Sequence, residues 1–240
     1  LETTVKRAGI EDGMKVLDLG CGWGSLSLWI AEHFPNASVT SVSNSASQRD
    51  FILARARERS IENIDVLTCD MNDFDIDKRF DRIVSVEMFE HMRNYRELFS
   101  RIDGWLVPDG RFFMHIFCHR TTPYEYIDKG PGDWMSRFFF SGGIMPSADL
   151  PLRFAGNLAI EKRWHWNGQH YAKTCNAWLE KMDASEDAIR PVLASCYGEA
   201  DASLRWQRWR ICVMACAELF DYDDGHEWYV GHYLFRKAES

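Results

Sequence analysis

Several features of large protein classes are missing from this sequence. It has no run of eighteen apolar residues, so we predict no membrane-spanning helix. Its seven cysteines are scattered and form no Cys-x-x-Cys pair, which argues against a disulfide framework and a structural zinc site. No signal peptide is recognisable, and the expected compartment is the reducing cytoplasm. The chain opens on Leu1 rather than methionine, which suggests that a further N-terminal segment precedes it.

Positively charged residues are also fewer than negatively charged ones. The sequence contains 28 Lys and Arg against 36 Asp and Glu, a formal net charge of -8. This balance argues against a nucleic-acid partner and gives no attraction to anionic lipid. The histidines are dispersed, with no His-x-x-x-His pair on a predicted helix, so we predict no metal site. With 46% hydrophobic residues, the 240-residue chain is expected to form a soluble globular domain.

The most informative stretch that is present runs from Val16 to Gly24. An apolar segment that is typical of a buried parallel strand contains Asp18 and leads into Gly20, Gly22 and Gly24. Helical spacing follows directly. A strand that turns through glycines into a helix is typical of nucleotide-binding proteins, because glycine permits a tight turn and helix N–H groups point at the ligand. The Gly-x-Gly-x-Gly spacing is similar to the first motif of S-adenosylmethionine (SAM) methyltransferases.

Strands and helices alternate over the first half of the chain. We predict strands over 14–19, 37–42, 63–67, 80–86 and 111–117, and helices over 1–10, 25–33, 46–60 and 95–106, with a turn at 108–110. Such alternation indicates an α/β fold with a mostly parallel, seven-stranded sheet that is covered by helices on both faces. Ligands of such sheets bind at the carboxyl ends of the strands.

The pattern changes after Cys118. Residues 119–155 are rich in proline and glycine, which predicts a lid or cap rather than a simple loop. We then predict a sixth strand over 158–166, helices over 174–220 and a last strand over 227–235. The domain organisation that follows is a single domain over 1–240, with a cofactor-binding core over 1–118, substrate-cap elements over 119–226 and the last strand in 227–240.

Polar residues follow the second and third strands. Ser43, Asn44 and Gln48 could hold ribose hydroxyls, although Ser43-Asn-Ser45 could equally serve only to cap the next helix. Asp70 could accept a hydrogen bond from an adenine amine, or be an ordinary turn aspartate, and Met71 could pack on the ring.

The fourth strand runs into the segment Glu87-Met-Phe-Glu90-His91. Two carboxylates and an imidazole close together at the carboxyl edge of a sheet indicate acid–base chemistry, because a glutamate can orient and activate a histidine as a general base. The alternative is that His91 only caps or packs against the following helix. His115 lies on the fifth strand. The segment 164–171 combines aromatic rings with imidazoles, as a substrate pocket or as packed core.

These segments together resemble the cyclopropane-fatty-acyl-phospholipid synthase superfamily of SAM-dependent methyltransferases. The resemblance is greatest to its coclaurine and pavine N-methyltransferase branch, and rests on segments 16–24, 43–48, 86–95, 140–148 and 170–174. It implies a Rossmann-like class I methyltransferase that converts SAM to S-adenosylhomocysteine (SAH). The cofactor residues are then Asp18, Gly20, Gly22, Gly24, Ser43, Asn44, Gln48, Asp70 and Met71.

The same resemblance implies two reactions. The N-methyltransferase branch implies methyl transfer to a bulky, benzylisoquinoline-like amine, with Glu90 and His91 as the catalytic pair and Glu87 lining the amine site. The cyclopropane synthases imply transfer to an unsaturated phospholipid chain, with a bicarbonate held by Glu90, His115 and Tyr171. The short segment 91–95 favours the first. We therefore expect a small-molecule partner and no integral membrane association, and leave a homodimer open.

Overall fold

A computed structural model describes residues 1–238 of the chain, in two units. Among the described residues, the first unit comprises Leu1–Ile116, Asp149–Trp164 and 231–238, and the second comprises Phe117–Ala148 and His165–Val230. Residues 239 and 240, which end the predicted last-strand region 227–240, lie outside the described residues.

Most strands of the chain join one seven-stranded sheet. In chain order the strands are β1 (Lys15–Leu19), β2 (Ser38–Ser43), β3 (Ile64–Thr68), β4 (Phe80–Val86), β5 (Leu106–His119), β6 (Tyr124–Glu125), β7 (Ile144–Met145), β8 (Leu158–Trp166) and β9 (Trp228–Lys237). The sheet order is β3-β2-β1-β4-β5-β9-β8, while β6 and β7 form a separate antiparallel pair. The pairs β1–β2, β1–β4, β2–β3 and β4–β5 are parallel. The predicted mostly parallel, seven-stranded α/β sheet is confirmed.

The helices follow the predicted alternation closely in the first half of the chain. They are α1 (Glu2–Ala8), α2 (Ser25–His33), α3 (Ala46–Glu58), α4 (Tyr95–Trp105), α5 (Trp134–Phe138), α6 (Leu150–Arg153), α7 (Gln169–Ala184), α8 (Glu186–Tyr197) and α9 (Glu199–Gly225), with a 3₁₀ turn at Phe89–His91. Across residues 1–238, no helix combines the length and apolar character needed to cross a bilayer.

The core of the first unit is built around β1. Val16, Leu17 and Leu19 are completely buried, as the continuous apolar run predicts for a strand that is covered on both faces. Burial of an aliphatic side chain contributes about 1.5–3 kcal/mol each. This buried strand therefore holds the glycine turn that follows it in a fixed position.

The predicted turn at 108–110 takes a different form in the structure. Strand β5 already begins at Leu106, which pairs with Phe80, and the next pairing joins Arg111 to Arg82. The intervening residues therefore bulge out of the ladder, because five residues of β5 span the distance that two residues cover on β4. The proline and glycine were correctly interpreted as a break in regular pairing, but the strand continues on both sides of it.

The second unit contains the long helices. The predicted helical region 174–220 consists of α7, α8 and α9, which pack against one another. Helix α9 is interrupted near its end, where Tyr222 has an extended backbone and Asp223 and Asp224 adopt left-handed conformations. The irregular region 119–155 includes α5 and the β6–β7 pair in this unit, whereas α6 belongs to the first unit.

Candidate active site

The carboxyl ends of the first four strands border a cleft in the first unit. Its volume is about 510 Å³, which is in the usual range for a small-molecule site. Nine of the predicted site residues line it: Gly20, Gly22, Ser43, Asn44, Gln48, Asp70, Met71, Glu87 and His91. The cleft thus brings together seven of the nine residues predicted for cofactor binding and two of those predicted for acid–base chemistry.

The glycine turn forms one wall of the cleft. Gly20, Gly22 and Gly24 all have positive φ, at 80°, 54° and 79°, which is costly for other residues. A Cβ on Gly24 would lie 2.6 Å from Ile52. A Cβ on Gly22 would meet no atom within 4 Å, which shows that this position faces open space. The turn can therefore admit a ligand directly against the Gly22 backbone.

Asp18 lies beneath this turn rather than on the cleft surface. The side chain is buried, and its Oδ2 accepts a 2.6 Å hydrogen bond from the Ser27 hydroxyl at the start of α2. Ser41 of β2 in turn donates to Ser27 at 2.8 Å. Burial raises the pKa of Asp18 to about 6, although the Ser27 bond opposes the increase. Asp18 thus connects the strand, the turn and the helix.

Residues after β2 combine the two roles that the sequence left open. The Ser45 hydroxyl accepts a hydrogen bond from the Gln48 backbone and caps α3. Ser43 donates to the Gln48 side-chain oxygen at 2.5 Å, while both line the cleft together with exposed Asn44. The capped helix therefore presents an organised set of hydroxyl and amide groups.

Asp70 and Met71 follow the end of β3. The Asp70 carboxylate accepts hydrogen bonds from the backbone and side chain of Asn72, both at 2.8 Å, as in an Asx turn. Met71 is largely buried, and both residues line the cleft. The turn role and the position at the cleft are compatible.

Glu87 occupies a special backbone position just after β4. Its φ is 52°, in the left-handed region, and its N–H donates to the carbonyl of His115 at 3.0 Å. Non-glycine residues in this region are uncommon and concentrate at functional sites. The Glu87 carboxylate lies 3.3 Å from Nε2 of His115. The neighbouring strand thus positions both the backbone and the side chain of Glu87.

The 3₁₀ turn Phe89–His91 carries two further predicted catalytic residues, Glu90 and His91. Phe89 anchors the turn from below, with its ring 5.3 Å from that of Tyr95 and 5.7 Å from those of Phe99 and Phe112. Glu90 is completely buried, whereas His91 is exposed in the cleft. Surrounding protein desolvates the ring and lowers the pKa of His91, while the Glu87 charge opposes that decrease. Desolvation therefore favours the neutral form of the His91 ring.

Two residues that sequence reasoning missed extend this site. His232 of β9 is completely buried, and its Nε2 lies 2.9 Å from Nδ1 of His115. On its other side, Nδ1 lies 2.6 Å from a guanidinium nitrogen of Arg7. Burial, together with His115 and Arg7, lowers the pKa of His232 to about 2. A histidine within the apolar run 230–235 was the available signal for His232; nothing in the pattern of α1 singles out Arg7.

Tyr171 and most of the aromatic segment 164–171 belong to the second unit. Tyr171 lies in the first turn of α7, where its ring stacks on Phe220 at 4.3 Å. His165 packs against Tyr229 at 3.7 Å. Trp164 is in the first unit and lies under the Arg7 guanidinium, 5.0 Å from it. Much of the segment therefore takes part in packing within its own unit.

The chain matches a known family over most of its length. The family model described as mycolic acid cyclopropane synthetase matches residues 1–226. The chain is 37% identical over 241 residues to an (S)-coclaurine N-methyltransferase of Thalictrum flavum subsp. glaucum, covering 99% of this chain and 67% of that protein. It is also 32% identical to the cyclopropane-fatty-acyl-phospholipid synthase of Escherichia coli K12, covering 96% of this chain and 56% of the synthase.

A solved structure agrees with these relatives. The crystal structure of a coclaurine N-methyltransferase bound to N-methylheliamine and SAH matches with a TM-score of 0.93 and 36% identity. The match covers 98% of this chain and 70% of that one. The chain thus spans about two thirds of the length of the coclaurine N-methyltransferases that it resembles.

Proposed function

Because this chain belongs to the mycolic acid cyclopropane synthetase family and is a SAM-dependent methyltransferase of class I fold, we propose that it methylates the nitrogen of a bulky amine. The main support is the cleft, in which Glu87 and His91 stand beside Gly20 and Gly22. The N-methyltransferase relatives, at 37% identity for the first, add weight to an amine acceptor.

The cleft residues fit the cofactor. Gly22 offers open space against its backbone, which suits the close approach of a ligand. We assign the ribose hydroxyls to Ser43, Asn44 and Gln48, and the adenine to Asp70 and Met71, which together line the adjoining walls. When bound, SAM supplies a methyl group that its sulfonium already activates for transfer.

The protein's main task is then to present an unprotonated nitrogen. An amine with a pKa near 10 is only about 0.1% neutral at pH 7, which corresponds to roughly 4 kcal/mol. The Glu87 carboxylate attracts the ammonium form into the cleft, and His91, whose neutral form is favoured by desolvation, accepts the proton that the nitrogen loses. We assign to Glu90, which is completely buried in the same 3₁₀ turn, the role of supporting His91.

Lipid methylation is the alternative. The similarity to the E. coli synthase favours it, and it would use Glu90, His115 and Tyr171 to hold a bicarbonate. Against it, both ring nitrogens of His115 already have hydrogen-bond partners, Glu87 and His232. An added anion would have to displace one of them. We therefore place the amine first.

The deciding experiment measures transfer of labelled methyl from SAM. A panel of benzylisoquinoline amines and vesicles of unsaturated phospholipid are assayed in parallel. We expect label in the amine fraction. Label in the lipid alone would overturn the proposal and assign the chain to the alkene reaction.

A His91→Ala variant tests the base. We expect its kcat/KM to fall about 100-fold at pH 7 and to recover toward pH 9, where more of the amine is neutral without help. His33→Ala, which removes an exposed histidine of α2, is the matched control. Equal rates for wild type and His91→Ala across the pH range would rule out proton transfer by His91.

A further inference from the structure

Four side chains in the first unit form a continuous hydrogen-bonded row. Arg7 of α1 contacts Nδ1 of His232 at 2.6 Å, and Nε2 of His232 contacts Nδ1 of His115 at 2.9 Å. Nε2 of His115 then contacts the Glu87 carboxylate at 3.3 Å. The row therefore leads from helix α1, through β9 and β5, to a residue that lines the cleft.

The chemistry of its two ends determines where every proton lies. Arginine can only donate hydrogen bonds, so Nδ1 of His232 must accept. A neutral His232 then carries its proton on Nε2 and donates it to Nδ1 of His115. His115 in turn carries its proton on Nε2 and donates it to the Glu87 carboxylate. All three bonds point in the same direction, from the guanidinium to the carboxylate.

Protonation of His115 would break this order. An imidazolium carries N–H on both nitrogens, so its Nδ1 would meet the Nε2–H of His232. His232 would have to move its proton to Nδ1, where the Arg7 guanidinium already donates. His232 is completely buried, so bulk solvent does not screen this conflict. Arg7 therefore opposes protonation of His115 through His232, which lies between the two in the row.

We propose that Arg7 and His232 are positioning residues, which hold His115 as the neutral imidazole with its proton on Nε2 and so keep the negative charge of Glu87 for a cationic amine. A charged His115 would pair with Glu87 and cancel the attraction that brings an ammonium into the cleft. This inference rests on the proposed amine methylation. It adds residues of α1 and β9 to a site that otherwise consists of turns at the ends of strands.

The groups that face His115 come from several elements. Glu87, after β4, favours a charged ring, whereas His232 on β9 and, one bond further, Arg7 on α1 oppose it. The Glu87 charge also acts on His91 of the 3₁₀ turn, where it favours the charged form of the ring. Trp164 of β8 lies under the Arg7 guanidinium and helps to hold it in place.

The test compares Arg7→Met with Arg7→Lys, which keeps a cationic donor, and with Lys6→Met as the matched control on the exposed side of α1. Nitrogen-15 NMR of the full chain reports the tautomer and titration of His115. We expect the Nε2–H form in wild type, Lys6→Met and Arg7→Lys. In Arg7→Met we expect the midpoint of the His115 titration to rise by at least about one pH unit.

Activity provides the second measurement. In Arg7→Met the acid limb of kcat/KM for the amine should move to higher pH, while the plateau at high pH is retained. His232→Gln is the second variant, because a Gln carbonyl can accept from Arg7 while its amide donates to His115. It should preserve the His115 tautomer even if Arg7→Met folds poorly.

The outcomes separate the two proposals. An Nδ1–H tautomer in the wild type, or an unchanged His115 titration in Arg7→Met, would overturn the positioning role whatever the acceptor is. If no amine is methylated but the His115 titration responds to Arg7→Met, the hydrogen-bond order stands and the assignment of its use to an amine fails.

Discussion

Two histidines of the first unit, His91 and His232, are both kept neutral, but by different surroundings. His91 is exposed in the cleft, and partial desolvation lowers its pKa while Glu87 opposes the decrease. His232 is completely buried between His115 and Arg7, which together with burial lower its pKa to about 2. His91 can therefore exchange a proton with a ligand. His232 can only fix which nitrogen of His115 carries the proton.

Asp18 leads to a prediction about stability. Burial raises its pKa from 3.8 to about 6, so the folded chain binds this proton more tightly than the unfolded chain does. The stabilisation is complete below about pH 4 and is lost as the pH rises to about 6, a change of about 3 kcal/mol. In Asp18→Asn, whose amide oxygen can still accept from Ser27, we expect a flatter dependence of unfolding free energy on pH.

Urea unfolding at pH 4.5 and pH 7.5 measures this difference. Asp77→Asn, at an exposed carboxylate, is the control and should follow the wild type. If Asp18→Asn loses as much stability between these pH values as the wild type does, Asp18 is not the group responsible.

At the scale of single residues, residue types and their spacing identified which residues line the cleft. They did not identify the hydrogen bonds between the side chains behind it. Ser43, Asn44, Gln48, Asp70 and Met71 were found because each follows a recognisable strand. The bonds of the row Arg7–His232–His115–Glu87 instead join residues 225, 117 and 28 positions apart. No local pattern carries such information, because it arises from the order of strands in the sheet.

Among the elements, the glycine turn combines two separable requirements. Gly24 must remain small because Ile52 packs 2.6 Å from where its Cβ would be, whereas Gly22 faces open space in the cleft. We expect Gly24→Ala to lose about 1–3 kcal/mol of stability from overpacking. Gly22→Ala should lose less stability but bind SAH at least about tenfold more weakly, because its methyl group occupies ligand space.

Thermal unfolding and calorimetric titration with SAH measure the two quantities independently. Gly104→Ala, at a helical glycine of α4 with nothing within 4 Å, controls for the added methyl group. A Gly22→Ala variant that binds SAH as tightly as wild type would show that the cofactor does not approach this backbone.

Element boundaries were predictable where composition and periodicity agree, as in β1, α2 and β4. Boundaries were harder to predict where a strand continues past a residue that usually ends it. The proline at 108 forms a bulge inside β5, because the flanking residues still find partners on β4. The end of the helical region was placed at 220, near the interruption at Tyr222–Asp224.

For the whole molecule, the net charge of -8 has a kinetic consequence for a cationic acceptor. A negative protein raises the local concentration of an ammonium ion, and added salt screens this attraction. We expect kcat/KM for the amine to fall roughly threefold between low salt and about 0.5 M salt, with little change in kcat.

The assay is run at saturating SAM, so that screening of the cofactor does not contribute. An aromatic amine that is neutral at the assay pH serves as the control acceptor and should show little dependence on salt. Equal salt dependence for both acceptors would contradict electrostatic attraction of the ammonium.

The bond between Arg7 and His232 also constrains how the protein is made. Arg7 leaves the ribosome well before its partner, which is synthesised 225 positions later. The helix and the strands β1 to β4 can form early, but the proton order at Glu87 requires β9 to take its place between β5 and β8. A nascent chain could thus have a cofactor cleft before it has a fully prepared acceptor site.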